Sequence, residues 1–298
     1  MFINLKKILP RDFRERVMFG LKFLPDELYI RLFFFAVTGK HLNLKNPITF
    51  EDKQQWLKLH NKHPEYSGLV DKLKVREHIK QVLGEEYLFP LLGAWKSFDD
   101  INFEKLPNQF ALKCNHDSGS VQVIQNKSEL TASDYKKLRA HFTKRLKRDF
   151  FYAGREYPYK GIKPYILAEQ YMYDDKQTGA GLNDYKFFCF HGEPKFVLIV
   201  TDRAVGTRYD FYDMDFNALN LTYGQKSAKT IVKPDFFDEM QEIAVKLSQG
   251  KTFVRIDLYE IGGKVYFGEY TFFDGGGFQW LVPDEWEYKI GEWIDLER

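Results

Sequence analysis

Apolar residues recur at spacings of three and four along the first part of the chain, which is the spacing of one face of an α-helix. Two series show this pattern: Phe13, Val17 and Leu21, and then Leu24, Leu28, Leu32 and Phe35. The pattern predicts helices over residues 11–62 that turn these faces toward a core. Asn46-Pro47 interrupts it, and Thr49 then predicts the N-cap of a helix that runs through Trp56 and Leu59.

Later segments carry the same helical pattern. A helix is expected from Val70 to Leu83, ending at Gly84, and another from Phe236 to Ser248. Thr131 and Asp134 predict the capping box of a further helix. Its apolar positions are Tyr135, Leu138, Phe142 and Leu146. Its other face is basic, with Lys136, Lys137, Arg139, Lys144, Arg145, Lys147 and Arg148.

Short segments of alternating residues predict strands. A small sheet is expected to begin within residues 89–98, two short strands are expected over 109–113 and 121–124 around the polar loop 114–120, and a separate strand is expected over 165–171. After a polar linker over 174–183, one hairpin is expected over 185–201 with its turn at residues 191–194. A second is expected over 252–270, where Gly262-Gly263 suits a tight primed turn.

Composition and charge narrow the class of protein. The 298 residues carry 44 Lys and Arg, 42 Asp and Glu and 17% aromatic residues, which argues against a disordered tail and a strongly basic nucleic-acid binder. Cys114 and Cys189 form no CxxC pair, so a reducing cytoplasm is expected. No signal peptide is expected, and the apolar run from Leu28 to Val37 is about half the ~20 residues of a membrane span.

The second hairpin carries the most informative chemistry. Arg255 and Asp257 lie two residues apart on one strand, and Glu269 and Thr271 lie two apart on the other, so a suitable register places all four on one face. Facing carboxylates repel each other, and Mg²⁺, which favours one or two carboxylates plus phosphates, would relieve that repulsion. The alternative is a solvated strand face with an Arg–Asp pair.

Two loops are further candidates. Lys113 precedes the loop 114–120, whose backbone N–H groups could cover phosphates, although an ordinary polar hairpin loop stays open as an alternative. Gly275-Gly276-Gly277 indicates either close approach of the backbone to a ligand or a flexible turn. His116 and His191 are expected to be structural, and Cys114 is expected to be a small packed residue.

Taken in order, these segments resemble the TupA-like ATP-grasp family of bacterial surface-polysaccharide loci. The resemblance runs from about Asn43 to Phe278. Its carrying segments are LNLKNPITFEDKQQWLKL (42–59), VDKLKVREHI (70–79), FALKCNHDSGS (110–120), REYPYKGIKPYILAEQYM (155–172), DYKFFCFHGEPKFV (184–197) and FVRIDLYEIGGKVYFGEYTFFDGGGF (253–278). The resemblance implies an α+β ATP-grasp fold with two lobes that hold ATP. It implies an N-terminal helical segment (1–62), a first lobe or linker (63–108), a central lid lobe (109–172) and a C-terminal lobe with a metal site (173–298).

The resemblance also implies an activity and a set of roles. ATP-grasp enzymes join a carboxylate to an amine through an acyl-phosphate. Lys72, Lys113 and Lys186 would contact ATP phosphates, and Arg255 would stabilise the transferring phosphoryl group. The loop residues over the phosphates would be His116, Ser118, Gly119 and Ser120. Adenine would bind at an interlobe hinge of Glu169, Gln170, Tyr171 and Met172. Mg²⁺ would be held by Asp257, Glu269 and Thr271.

The chain departs from the family pattern at two places. Relatives such as the D-alanine ligases carry Asn at the position of Thr271. Threonine also offers an oxygen ligand, but on a shorter side chain. Asp117 and Ser120 replace two glycines of the family loop, and a carboxylate beside ATP phosphates would repel them unless it points away.

The expected reaction is ligation of a uronic acid or similar carboxylate of a surface-polysaccharide precursor to an amino acid or amine. The alternatives are an ATP-grasp phosphotransferase, a non-catalytic scaffold, and a glycosyltransferase, for which Asp213-Met-Asp215 would be the metal motif. The basic helix and the acidic C-terminal block would form a basic lid over an acidic floor. The N-terminal helices would pack against the core or, alternatively, hold a cytoplasmic enzyme at an anionic membrane surface, in contact with lipid-linked glycans.

Overall fold

Two antiparallel sheets form the framework of the chain. The computed structural model describes residues 17–174, 181–203, 205–223, 231–278 and 281–297. The first sheet contains β1 Leu91–Trp95, β2 Phe110–Cys114, β3 Gln122–Ile124 and β4 Ile166–Gln170, in the order β1-β4-β2-β3. The second contains β5 Asp184–Phe190, β6 Glu193–Thr201, β7 Arg208–Asp213, β8 Phe253–Ile261 and β9 Lys264–Thr271, in the order β7-β6-β5-β8-β9.

Helices flank both sheets. Their bounds are α1 Asp26–Thr38, α2 Phe50–His60, α3 Tyr66–Val70, α4 Val75–Val82, α5 Ala132–Leu146, α6 Phe151–Gly154, α7 Phe237–Ser248 and α8 Glu285–Glu292. The predicted caps are confirmed: the Thr49 hydroxyl accepts from the Asp52 backbone N–H at 3.1 Å, and Thr131 and Asp134 form the predicted capping box. Both predicted hairpins are confirmed as β5–β6 and β8–β9. The expected α+β class is therefore correct.

Each sheet has its own apolar core. In the first sheet, Phe110, Leu112 and Ile166 pack with Phe142 of α5. In the second, a larger core joins strands β5 to β9 with α2, α7 and α8. The expectation that Cys114 is a small packed residue is confirmed, because Cys114 is fully buried and forms no disulfide. Cys189 is likewise fully buried and forms no disulfide. Burial raises the pKa of each thiol to about 12, so neither is a nucleophile near neutral pH.

The helix predicted from Val70 to Leu83 is wrong as a single element. The chain leaves the helix after Val70 and enters it again at Val75. Asp71 causes the break, because its carboxylate accepts from the backbone N–H of Leu73 at 3.0 Å and from the side-chain amide of Asn115 at 2.8 Å. The predicted end at Gly84 is confirmed: Gly84 has φ +129° and its N–H donates to the carbonyl of Ile79.

The predicted apolar face of α1 is also wrong. Leu28, Leu32 and Phe35 are exposed by 45%, 53% and 50%, whereas Tyr29, Ile30 and Phe34 of the same helix are buried. From Leu28 to Val37 every residue of this helix except Arg31 is apolar, so the spacing does not distinguish one face from another. In the part of the chain that the structure describes, no helix combines the length and apolarity that crossing a membrane requires.

Some predictions remain open on structural grounds. Phe13 and the rest of residues 1–16 lie outside the described residues, as do residues 175–180 of the predicted linker. The division into segments at residues 62, 108 and 172 stays a prediction. Its boundary at residue 108 separates β1 from β4, although these two strands pair directly.

Candidate functional site

The β8–β9 hairpin places four predicted site residues on one face, as their spacing indicated. Arg255 is opposite Thr271, and Asp257 is opposite Glu269. The register shifts just after Asp257, where Gly268 is the additional residue of β9. A Cβ atom at Gly268 would lie 2.9 Å from the carbonyl oxygen of Asp257. Only glycine lets the strands approach here, so Gly268 helps to keep the two carboxylates opposite each other.

The guanidinium of Arg255 lies at the centre of this face and contacts three carboxylates. It donates to both oxygens of Asp257 at 2.7 Å, and its Nη2 lies 3.5 Å from Glu269 Oε1. Its Nη1 donates to Asp274, and the hydroxyl of Thr271 accepts from Nη2 at 3.0 Å. Sequence reasoning missed Asp274. Its position directly before the three glycines was the available signal.

Lys186 reaches the same centre from the neighbouring strand. It is opposite Asp257 in the pairing of β5 with β8, and its ammonium donates to the Asp257 carboxylate. The Lys186 ammonium also lies 2.8 Å from Asp184, which pairs with Arg203. Asp184 was missed too, although its spacing of two from Lys186 places both on one face of β5. No feature of the sequence singled out Arg203.

These contacts determine the ionisation of the centre. Burial of Asp257 disfavours its charged form, but Arg255 and Lys186 outweigh burial and hold its pKa below the ordinary value. Burial likewise opposes the charge on Arg255, yet Asp257 and Asp274 outweigh it and raise the pKa of the guanidinium. Both groups are therefore charged throughout the physiological pH range.

The donor set suits a magnesium ion that shares its coordination with phosphates. Asp257 and Glu269 offer oxygen ligands from facing strands, and Thr271 offers a hydroxyl oxygen beside them. Within the described ranges, no group of three or more His, Cys, Asp and Glu side chains could hold a metal ion by itself. Because Mg²⁺ commonly uses one or two carboxylates plus substrate phosphates, the three predicted ligands fit it. Their role stays a prediction.

Lys72 connects this centre to the loop 115–120. Its ammonium lies 3.9 Å from Glu269 Oε2 and donates to the carbonyl of Asp117 at 2.7 Å. Its backbone N–H also donates to the carbonyl of Asn115 at 3.0 Å. Ser118 and Gly119, at the tip of the loop, are exposed. The structure thus brings the predicted phosphate loop and the predicted metal ligands to one place.

The Asp117 carboxylate points away from the tip of the loop. It lies 2.9 Å from Nε of Arg145, and it accepts from the hydroxyl of Ser120 at 2.5 Å. Arg145 also donates to the carbonyl of Ser118 at 2.8 Å. His116 is buried, with Nε2 3.3 Å from the carbonyl of Arg145. The side chains of His116 and Asp117 therefore hold the loop to α5, the Ser120 hydroxyl donates to Asp117 within the loop, and the exposed tip is the part that is open to a ligand. Arg145 was assigned to the basic face of this helix, but it is 5% exposed.

Lys113 and Glu169 form an ion pair in the first sheet. The Lys113 ammonium lies 2.5 Å from Glu169, and Arg76 approaches the same carboxylate at 3.7 Å. Of the other predicted hinge residues, Gln170 ends β4, and Tyr171 follows it and lines a separate cavity of about 710 Å³ with residues 105–109. Met172 is half-buried. Adenine binding by this segment stays a prediction.

The three glycines form an ordered left-handed turn. Gly275, Gly276 and Gly277 have φ values of +56°, +72° and +67°. Lys58 and Gln55 of α2 donate to the carbonyls of Gly276 and Gly277, each at 2.5 Å. A Cβ at Gly277 would lie 2.7 Å from Gln55 Nε2. The close approach that these glycines permit is to α2, and this packing fixes Asp274 beside Arg255.

The tripeptide Asp213-Met-Asp215 has a local role. The Asp213 carboxylate accepts from the backbone N–H groups of Asp215 and Asn217 at 3.0 and 2.7 Å, which closes the turn after β7. This use of the carboxylate argues against the metal motif of a glycosyltransferase.

The chain is similar to the D-alanine–D-alanine ligase of Bacillus anthracis complexed with ATP (14% identity, 74% of this chain and 62% of that chain, TM-score 0.44). It is also similar to the ATP-grasp ligase PsnB complexed with a minimal precursor (10% identity, 78% and 61%, TM-score 0.43). The RimK domain protein ATP-grasp of Sphaerobacter thermophilus shows 9% identity over 77% of this chain and 69% of that chain, with a TM-score of 0.42.

The chain thus spans less than two thirds of the length of the first two of these structures. Comparison with curated proteins gave no significant match. The sequence model of the TupA-like ATPgrasp family matches residues 52–295, which cover most of the chain and every predicted site residue. The chain therefore belongs to the TupA-like ATP-grasp family and has the ATP-grasp fold.

Proposed function

We propose that this protein is an ATP-dependent ligase that joins a carboxylate to an amine through an acyl-phosphate. One observation carries the proposal: a continuous series of charged contacts runs from the loop through Lys72, Glu269, Arg255 and Asp257 to Lys186. Phosphoryl transfer requires cations that face the phosphates and carboxylates that hold magnesium, and this series supplies both.

The reaction has two steps. A carboxylate oxygen of the acceptor attacks the γ-phosphorus of ATP, the bond from that phosphorus to the bridging oxygen breaks, and ADP leaves. The amine nitrogen then attacks the acyl carbon, phosphate leaves with its electron pair, and the nitrogen loses a proton to solvent. Arg255 is buried and charged, so it would stabilise the transferring phosphoryl group without reorganisation. Mg²⁺ held by Asp257, Glu269 and Thr271 would neutralise phosphate charge.

The other predicted residues would bind the nucleotide. Lys72, Lys113 and Lys186 would contact its phosphates, and the exposed tip of the loop, Ser118 and Gly119, would cover them. His116 and Ser120 would act indirectly, because both are buried and hold the loop in place. Residues 169–172 would bind adenine. Lys113 would exchange its contact with Glu169 for a phosphate oxygen, and Lys186 would do the same with its contact to Asp257. Each ammonium group would then still lie beside a negative charge.

The proposed acceptor is a uronic acid or similar carboxylate of a bacterial surface-polysaccharide precursor, and the proposed second substrate is an amino acid or amine. Family membership supports this substrate class. We further propose a cytoplasmic location, where ATP and such precursors are both present.

The test is product analysis with ATP, Mg²⁺, candidate carboxylates and candidate amines. ADP and inorganic phosphate should be released together only when both substrates are present. Lys186→Met should remove this activity, whereas Lys195→Met on the same sheet, with a partly exposed side chain, should keep it. ADP release with phosphate retained on the saccharide would instead establish a phosphotransferase. Thermal stabilisation by UDP-sugar but not by ATP would establish a nucleotide-sugar enzyme.

A further inference from the structure

A large cavity adjoins the charged centre on the side of α1. Its volume is about 540 Å³, within the range of roughly 300–1,000 Å³ that small-molecule sites occupy. Arg255, Glu269 and Thr271 form one end of it, and Ser118 of the loop lies at the same end. An occupant of this cavity would therefore touch the residues proposed to handle phosphoryl transfer.

The cavity lies away from the residues proposed to bind the nucleotide base. Of the described residues, neither Lys113 nor any of residues 169–172 lines this cavity. Lys72 and Lys186 are absent from the same lining. A ligase needs a second site on the other side of its phosphoryl-transfer centre, because the acceptor carboxylate must approach the γ-phosphorus from there. The cavity borders the charged centre and is not lined by the proposed base-binding residues, which fits such a site.

The remaining walls are strongly apolar. They include Met18 and Leu21 before α1, Leu32 and Phe33 in α1, Phe150 beside α6, and Phe278 after the glycine turn. Glu156 lies in the wall near α6, and its burial raises its pKa to about 7, which reduces its average charge near neutral pH. Apart from Glu156, Tyr29 and Tyr159, the described side chains of these walls are apolar, so an unmodified saccharide would bury most of its hydroxyl groups there without hydrogen-bond partners, at a cost of about 1–3 kcal/mol for each group. An apolar chain would gain free energy from the same burial.

We propose that this cavity binds an apolar chain carried by the acceptor substrate, with the reacting carboxylate of that substrate at the Arg255 end. The proposal rests on the proposed ligase function and adds a substrate class to it: a carboxylate acceptor that bears an apolar chain. Leu32 both lines the cavity and is 53% exposed, so the cavity reaches the surface of α1. A chain longer than the cavity can leave it along that side.

The probe is a series of linear carboxylates, from butanoate through octanoate to dodecanoate, titrated into the full chain by calorimetry. Affinity should rise about fourfold for each added methylene until the cavity is full. Binding should be one to one. Affinity that does not depend on chain length, or the lack of any binding by dodecanoate, would overturn the proposal.

Two substitutions on α1 form a matched pair. Leu32→Asp places a charge in the cavity wall, and Leu28→Asp places the same charge one turn away at a similarly exposed position that does not line the cavity. Leu32→Asp should weaken dodecanoate binding at least tenfold, and Leu28→Asp should change it less than twofold. Equal losses in both variants would show binding to the outer surface of α1, as at a membrane, and would refute the cavity. Ala36→Phe, which adds volume to the wall without charge, should also weaken binding, and unchanged dodecanoate affinity in this variant would contradict the proposal.

A separate measurement distinguishes this proposal from the proposed function. Binding of ATP with Mg²⁺ is titrated in the same variants and should not change, since none of the three positions contacts the charged centre. If the protein binds nucleotide but its affinity for carboxylates does not depend on chain length, the ligase proposal stays intact and the apolar acceptor is refuted. The reverse result, chain-length dependence without nucleotide binding, would remove the ligase proposal and retain an apolar carboxylate site.

Discussion

The pair formed by Arg145 and Asp117 tests how the loop 115–120 is held. The two side chains are exposed by only 6% and 4%, and Arg145 Nε lies 2.9 Å from the Asp117 carboxylate. Arg145 also donates to the carbonyl of Ser118. Loss of one member of a buried ion pair costs about 3–5 kcal/mol, because the other charge remains buried without a partner. We expect Arg145→Met to disfavour the observed loop conformation by a free energy of this order.

The loop would cover the nucleotide phosphates, so part of this cost should appear in nucleotide affinity. A loss of about 1.4–2.8 kcal/mol corresponds to a 10- to 100-fold higher Kd. Calorimetric titration of a non-hydrolysable ATP analogue with Mg²⁺ measures it, and urea unfolding measures the part that destabilises the whole fold. Lys136→Met, an exposed position on the same helix, is the control and should change neither quantity.

A double variant separates the ion pair from the contact between Arg145 and the Ser118 carbonyl. Asp117→Asn in the Arg145→Met background removes the orphaned charge and should restore affinity to within about fivefold of the parent protein, through a coupling of about 0.5–3 kcal/mol. The ion pair would not hold the loop if Arg145→Met left both nucleotide affinity and unfolding free energy unchanged. A double variant as weak as Arg145→Met would show that Arg145 acts through the Ser118 carbonyl instead.

Three further predictions concern the charged centre and its supports. Glu269→Ala should abolish ATP turnover in a coupled ADP assay while the circular dichroism spectrum stays native, because the variant loses a proposed metal ligand but relieves repulsion with the facing carboxylate. Undiminished turnover would refute the metal assignment. Burial raises the pKa of Glu51 from 4.5 to about 8 and that of Glu287 from 4.5 to about 7. Between about pH 4.5 and 8 the folded state therefore binds more protons than the unfolded state, so the unfolding free energy falls as pH rises through that window. Glu51→Gln should therefore raise the unfolding free energy at pH 8 by about 1–3 kcal/mol and have less effect at pH 5, as measured by urea denaturation, and an equal gain at both pH values would contradict this. Gly277→Ala should lower the unfolding free energy by about 1–3 kcal/mol, since the residue has φ +67° and its Cβ would lie 2.7 Å from Gln55 Nε2.

Features set by neighbouring residues could be predicted from the sequence. The caps at Thr49 and Thr131 depend on side chains three residues from the N–H groups that they bind. The tight turn of the β8–β9 hairpin was likewise predicted, but a regular register from that turn would pair Asp257 with Gly268, and the additional residue Gly268 is what brings Asp257 opposite Glu269. The family resemblance then ordered these local features along the chain, and the match over residues 52–295 confirms it.

Features that depend on distant contacts could not be predicted in the same way. Asp71 breaks a helix because its carboxylate meets Asn115, 44 residues away. Arg145 was assigned to the basic face of its helix, although it lies three residues after Phe142 and seven after Leu138, on their buried face, where the loop carboxylate of Asp117 pairs with it. Asp274 reaches Arg255 only because α2 holds the glycine turn. In each case a buried charged side chain contacts a partner that is distant in the sequence, so spacing along the chain does not show the contact.

The composition of α1 has a related explanation. A surface helix normally keeps one polar face, and a spacing rule locates the core by contrast with that face. In α1, Ile30 and Phe34 face the core, while Leu32 and Phe33 line the cavity beside Arg255. Two differently directed apolar contacts leave little room for a polar face, so the spacing of apolar residues alone could not show which one meets the core. The feature that made the orientation of α1 unpredictable is thus the feature that gives the cavity its apolar wall.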